Sequence, residues 1–339
     1  MKLNSETSVQ ITYYKDRILL SRDSIYFKNG KIDRKELMKA NRKEVYNGFM
    51  SDSTARKVKR IINSWSKSIE FYNKGLMSKS LKPDRQLVCA TLTLSDDQIH
   101  DDKYIKRQML NRFILKLQKD YNVINYLWKA EKMLNCRIHF HVIIDKYVSK
   151  TDIQKEWNKI QKENGYLDNY MNKYKKVNAP STHIRQADKN SNPEDYLCKY
   201  LSKKEKEKLD NNNKISGRIW GCSDSIRNLK VYNSGENETV ISELYKESNK
   251  GRIKVIKDEF FEMYIVDTDE FLKNKCKVEF ENYENYYLSL YRCLYDKQYT
   301  CQNVDMVLSQ VVTKIIKHRE KWIQQSLKGL EICDSHTNH

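Results

Sequence analysis

Residues 124–144 read INYLWKAEKMLNCRIHFHVII, and this stretch decides the fold. Residues 124–130 and 138–144 are rich in β-branched and aromatic side chains, which suit a pleated, half-buried surface. A short turn around Leu134-Asn135 joins them, so the two runs pair as an antiparallel hairpin. Working outward, residues 87–94 (LVCATLTL) form an almost unbroken apolar run, as a central strand requires. Between that run and the hairpin, residues 103–119 place Ile105, Met109, Phe113 and Leu117 on one helical stripe. Beyond the hairpin, helices are expected over 150–163 and 166–174 and a strand over 181–185. Asn192-Pro193 opens a further helix through DYLCKYLSKKEKEK, with Pro at the first helical position. A strand at 218–222 closes the region. The order β-α-β-β-α-β-α-β lacks the repeated βαβ units of a parallel sheet. It predicts an α+β fold with a central antiparallel β-sheet and flanking helices.

The flanks read differently. Residues 8–13 and 18–27 have strand character, and a basic helix is expected over 54–72, capped by Ser53 or Asp52. Its apolar stripe contains Val58, Ile61, Ile62, Trp65 and Ile69, with Arg56, Lys57, Lys59 and Arg60 mostly elsewhere on the wheel. Residues 79–85 form a turn-rich linker around Pro83. Past Val231, residues 253–266 suggest a strand pair, 283–295 are rich in tyrosine, and 304–327 have the pattern of a long amphipathic helix. The expected organisation is an accessory segment over 1–80, a core over 81–230 and an acidic, α-rich C-terminal region over 231–339.

Composition narrows the function. The chain has 339 residues, 63 basic against 45 acidic, for a formal net charge of +18. The excess is not spread evenly. Residues 231–339 hold 15 basic and 18 acidic side chains, leaving 48 and 27 for residues 1–230. A positive field confined to the first two thirds suits a phosphate polymer as partner. The eight cysteines form no CxxC pair and show no zinc-finger spacing, so reduced thiols and an intracellular, cytoplasmic setting are expected. No apolar run is long enough to span a membrane, and the first residues show no apolar leader.

Two constellations carry chemistry. In a strand, His139 and His141 point to one face and Phe140 to the other. Hairpin pairing centred on Asn135 sets Glu131 opposite His139 and on the same face. Two imidazoles and a carboxylate make an N/O site for a divalent ion such as Mn, Mg, Co, Ni or Zn, with positions left open for substrate. Second, Tyr196 and Tyr200 lie four residues apart on the expected helix, with Lys199 and Lys203 repeating that offset. A phenol becomes a useful nucleophile where metal and cations stabilise the developing charge. Ordinary packing also accommodates each pattern taken singly, as two strand histidines or two of 23 tyrosines.

Together, the Thr91-Leu92-Thr93-Leu94 strand, Trp128-Lys129-Ala130-Glu131, His139-Phe140-His141 and the Tyr196, Lys199, Tyr200, Lys203 helix resemble the HUH endonuclease superfamily. More narrowly, they resemble the two-tyrosine rolling-circle replication initiators of small plasmids and single-stranded DNA phages. Residues 218–222 (RIWGC) also resemble the stretch that follows the catalytic helix there. The likeness spans roughly residues 50–229. It implies an RRM-like sheet core, with Glu131, His139 and His141 as ligands of Mn²⁺ or Mg²⁺. It further implies that Tyr196 or Tyr200 attacks a phosphodiester in single-stranded origin DNA, often presented by a hairpin. The product would be a 5′-phosphotyrosine and a 3′ hydroxyl that primes a host polymerase, with Lys199 and Lys203 steadying charge.

The chain departs from the family pattern in two places. Asn135-Cys136 stands where a turn glycine is common, and Asn tolerates left-handed backbone. His183 stands where an acidic residue is usual, and a structural or peripheral role is expected for it. No GxxxxGK[ST] occurs, so strand separation falls to a host helicase, supercoiling or a hairpin origin. A relaxase or transposase of the same chemistry, and a non-catalytic nucleic-acid-binding protein, are the competing readings.

Overall fold

A computed structural model of the chain describes residues 8–23, 27–28, 31–32, 50–83, 85–133, 135–186, 214–258 and 261–296. The long amphipathic helix expected over 304–327 lies outside the described residues. The architecture is α+β, with two five-stranded antiparallel sheets. The central sheet contains β5 (Val88–Thr93), β6 (Tyr126–Lys132), β7 (Ile138–Ile144), β8 (Thr182–Gln186) and β9 (Trp220–Cys222), in the order β8-β5-β7-β6-β9. Both neighbours of β7 run antiparallel to it. The hairpin register sets Glu131 opposite His139, as expected from the sequence, and Tyr126 opposite Ile144.

The two faces of this sheet bury different things. Val88, Ala90 and Leu92 of β5, Ala130 of β6, and Ile138, Phe140, Val142 and Ile144 of β7 pack in one core. That core is closed by the helical stretch Asp102–Tyr104 (α1), Ile105–Leu110 and Asn111–Asp120 (α2), and by Lys150–Glu163 (α3). The middle piece, Ile105–Leu110, is wound as a π-helix. Trp157 of α3 is fully buried against Phe113 and Phe140, and its indole N–H donates to Thr93 O at 2.8 Å. A shorter helix, Asp168–Tyr174 (α4), leads toward β8.

On the other face, Cys89, Leu127, Ile143 and Cys222 belong to a second core. Its centre is Asp52–Met77 (α5), a helix buried almost all round between residues 61 and 69. Ser51 supplies the N-cap, accepting from Thr54 N at 3.2 Å, where the sequence reading placed it at Ser53 or Asp52. Helix ends leave orphan N–H groups, and the residue with extended backbone just before the first turn is the one placed to serve them.

The second sheet covers this helix. Strands β1 (Ser8–Tyr13) and β2 (Arg17–Asp23) pair with β10 (Asn233–Ser234), β11 (Lys254–Lys257) and β12 (Phe261–Ile265), in the order β10-β1-β2-β12-β11. Two short strands, β3 (Phe27–Lys28) and β4 (Lys31–Ile32), pair separately. The C-terminal side adds Glu238–Asn249 (α6), Thr268–Lys275 (α7) and Lys277–Tyr295 (α8). The tyrosine-rich run forms the packing side of α8. Tyr291 stacks on Tyr72 at 3.8 Å between centroids, Tyr287 stacks on Phe71, and the Trp65 indole donates to Tyr295 Oη at 2.7 Å. Among the described residues, no helix is long and apolar enough to cross a membrane.

The RIWGC strand has a steric reason for its glycine. Gly221 lies opposite Trp128, and a Cβ on Gly221 would meet the indole at 2.8 Å. Trp128 is itself wedged edge-on against Phe140, so the ring has little room to give. Gly221→Ala should therefore cost about 1–3 kcal/mol, as overpacking does. Urea denaturation would measure it, and an unchanged midpoint would show that β9 shifts to make room.

Candidate metal centre

The alternation along β7 continues the second core as far as Ile143 and then changes chemistry. The next two side chains on that face are His141 and His139. On β6, Leu127 gives way to Lys129 and Glu131. On β5, Cys89 gives way to Thr91 and Thr93. This face of the sheet is thus apolar where α5 covers it and polar beyond the covered end.

Three donor atoms converge there. The Nε2 atoms of His139 and His141 are 3.2 Å apart, and Glu131 Oε2 is 3.5 Å from the first and 3.4 Å from the second. One donor from each residue falls within 4.8 Å of the others. The imidazole rings stand nearly perpendicular, at 84°. Glu131 and His139 retain partial exposure, whereas His141 is buried.

Neighbouring groups fix these donors. Thr91 lies opposite His141, with Oγ1 3.2 Å from Nδ1. With the proton on Nδ1, that contact leaves the Nε2 lone pair facing the other two donors. The Lys129 ammonium donates to Glu131 Oε1, so Oε2 is the oxygen turned toward the imidazoles. Burial opposes ionisation of Glu131, but the two histidines and Lys129 outweigh it and hold the carboxyl well below its usual range. Burial also lowers the His141 pKa, reinforced by His139 and Lys129 against the pull of Glu131. A neutral imidazole and an ionised carboxylate are the forms that ligate a metal. The buried Nδ1 of His139 finds no partner among the described residues. The set fits a divalent cation: two nitrogens and one oxygen, with coordination positions left for water or substrate.

The sequence reading did not single out Thr91 as a partner of His141, or Lys129 as a partner of Glu131. Both could have been found by extending the two-residue alternation across all three strands. His183 lies opposite Thr91 on β8, one strand further from His141, and is exposed. Tyr196, Lys199, Tyr200 and Lys203 lie outside the described residues.

One turn residue differs from expectation. The backbone in left-handed conformation before β7 is Cys136, with φ of 61°, and not Asn135. Asn135 instead uses its side-chain oxygen to accept from Arg137 N at 3.2 Å. A left-handed non-glycine residue costs roughly 1–2 kcal/mol, partly offset by the extra unfolded-state freedom glycine brings. Cys136→Gly should therefore stabilise the protein by up to about 1 kcal/mol. A lower thermal midpoint would contradict this.

No curated protein and no solved structure matches the chain. Residues 87–205, about a third of the chain, match the family model of the ORF2-type replication-associated proteins. The matched segment contains β5 to β8, the converging triad and the tyrosine-lysine run, and the match supports a replication initiator family for this part of the chain.

Proposed function

We propose that this protein initiates rolling-circle replication by nicking and rejoining single-stranded origin DNA. One observation carries the reading. Glu131, His139 and His141 converge on one sheet face inside a segment similar to replication-associated proteins. The two-tyrosine HUH type is the finer assignment, supported by Tyr196 and Tyr200 within the same matched segment. Residues 81–230 would be the catalytic unit, and 1–80 and 231–339 accessory to it.

In this reading, a Mn²⁺ or Mg²⁺ ion held by Glu131, His139 and His141 withdraws charge from the non-bridging oxygens of the scissile phosphate. The phenol of Tyr196 or Tyr200 attacks phosphorus and loses its proton. The bond from phosphorus to the 3′ oxygen breaks, and that oxygen takes up a proton. The 5′ side remains esterified to tyrosine, so the bond energy is conserved and rejoining needs no nucleotide cofactor. Lys199 and Lys203 balance phenolate and phosphate charge. The second tyrosine serves the later cleavage that closes the circle. The free 3′ hydroxyl primes a host polymerase, and a host helicase opens the duplex.

The test uses single-stranded oligonucleotides tiled across the origin, with Mn²⁺ or with EDTA. Wild type, Tyr196→Phe, Tyr200→Phe and the double variant are compared on denaturing gels. The expected result is a protein-linked DNA band that requires metal and is lost in the double variant. Specific binding with no adduct under any metal would leave a DNA-binding protein and remove the nickase reading.

A further inference from the structure

A groove of about 520 Å³ opens on the face of the central sheet opposite the histidines. Its floor includes Tyr126 and Trp128 of β6, which alternate with Leu127, Lys129 and Glu131 and so point away from the triad. Its walls are the first turns of the helical stretch, with Lys103, Lys106 and Arg107, and the loop carrying Arg218. Lys103, Arg107 and Arg218 are exposed, and none pairs with a described acidic residue. Lys106 plays a different part. Its ammonium donates to the carbonyls of Ser216 and Arg218, while Ser216 N donates to Asp102 Oδ2 at 3.0 Å. The loop is thereby tied to the helix from both sides, and the groove is preformed. The π-wound segment beneath it moves Lys106 and Arg107 off regular helical spacing, a distortion frequent at functional sites.

Three exposed cations around two half-buried aromatic rings are the chemistry of a single-stranded nucleic-acid track. Cations follow the phosphates, and rings offer surfaces for bases to stack on. We infer that this groove binds single-stranded DNA at a second site, through the sheet from the metal centre. The inference goes beyond the nicking reading, since it uses neither the triad nor the tyrosines. A strand held there would be kept apart from the one at the reacting face.

The test is fluorescence anisotropy of the full chain with a labelled thymidine oligonucleotide of about 20 nucleotides, in EDTA, across a potassium chloride series. Lys103→Ala/Arg107→Ala/Arg218→Ala is compared with wild type and with a charge-matched control, Lys254→Ala/Lys257→Ala/Lys273→Ala. The groove variant should bind about tenfold more weakly, and its slope of log affinity against log salt should be shallower by about 2. The control should change less than about twofold. In wild type, a bromodeoxyuridine oligonucleotide should photocrosslink to peptides containing residues 103–107, 126–128 or 216–218. A groove variant that binds like the control, or crosslinks confined to peptides of the histidine face, would overturn the inference. Thymidine monophosphate run in parallel should compete poorly; full competition by the mononucleotide would reassign the groove to a nucleotide pocket. Because EDTA is present throughout, cleavage does not enter, and failure of the nicking reading is scored separately.

Discussion

His141→Ala should lower metal-dependent strand cleavage by about 10²–10³-fold, the scale of losing one stabiliser of transition-state charge. Among the three donors, His141 is the most deeply set, and Thr91 fixes its ring. Alanine removes a donor that no neighbouring group can replace. On the far side of β5, His183 stands beyond Thr91, too far across the sheet to fill the gap. Calorimetric titration with Mn²⁺ should show a parallel loss of affinity. Thr91→Val keeps the shape and removes only the hydroxyl, so it should weaken Mn²⁺ binding by about 10–100-fold, as losses of an orienting partner do. Melting temperatures of both variants in EDTA separate loss of the site from loss of the fold. If His141→Ala cleaved at the wild-type rate with the same Mn²⁺ dependence, the triad would have no part in the reaction.

Much of that site was legible because β-alternation is strict and the hairpin is short. Once residues 124–144 are read as two strands about Asn135, Glu131, His139 and His141 must share a face. The central sheet followed from local patterns in the same way, since β5, β6 and β7 are close in sequence and strongly apolar. What was not legible depends on distance or on fine backbone geometry. Tyr13 pairs with Ile18 nearby, but its hydroxyl meets Ser234 at 3.0 Å, 221 residues away. No periodicity within either segment announces that β1 and β10 are neighbours. The tyrosine-rich run at 283–295 showed aromatic content but not its partner, because the aromatic face of α8 is completed by Phe71 and Tyr72 of α5. At the turn, composition favoured Asn135 for the left-handed position, yet the chain spends Asn135 on a side-chain hydrogen bond and leaves Cys136 the unfavourable backbone. The π-wound segment leaves no signature in a helical stripe that reads correctly on both sides of it.

Lys129 supplies the second large effect. It is a buried ammonium two residues from Glu131, on the same strand and face, bonded to the carboxylate oxygen that the histidines do not use. Without a metal, it is the principal permanent cation compensating a buried carboxylate. Lys129→Met keeps the aliphatic stem and deletes that charge. Breaking one side of a buried ion pair costs about 3–5 kcal/mol, because the partner stays charged and desolvated. In EDTA the variant should therefore unfold at markedly lower urea concentration. A divalent ion between Glu131 and the imidazoles would supply the missing positive charge, and it would no longer be repelled by an ammonium nearby. Mn²⁺ should consequently bind Lys129→Met more tightly than wild type and restore most of the lost stability, following the mass-action dependence of a ligand that binds only the folded state. Unfolding curves of both proteins across a Mn²⁺ series would measure the coupling. Equal destabilisation at every Mn²⁺ concentration would mean that Lys129 matters through packing alone. Restoration by Mn²⁺ would mean that the protein holds its carboxylate ready with an internal cation in the place a metal later shares, so that the site stays folded and charged before the ion arrives.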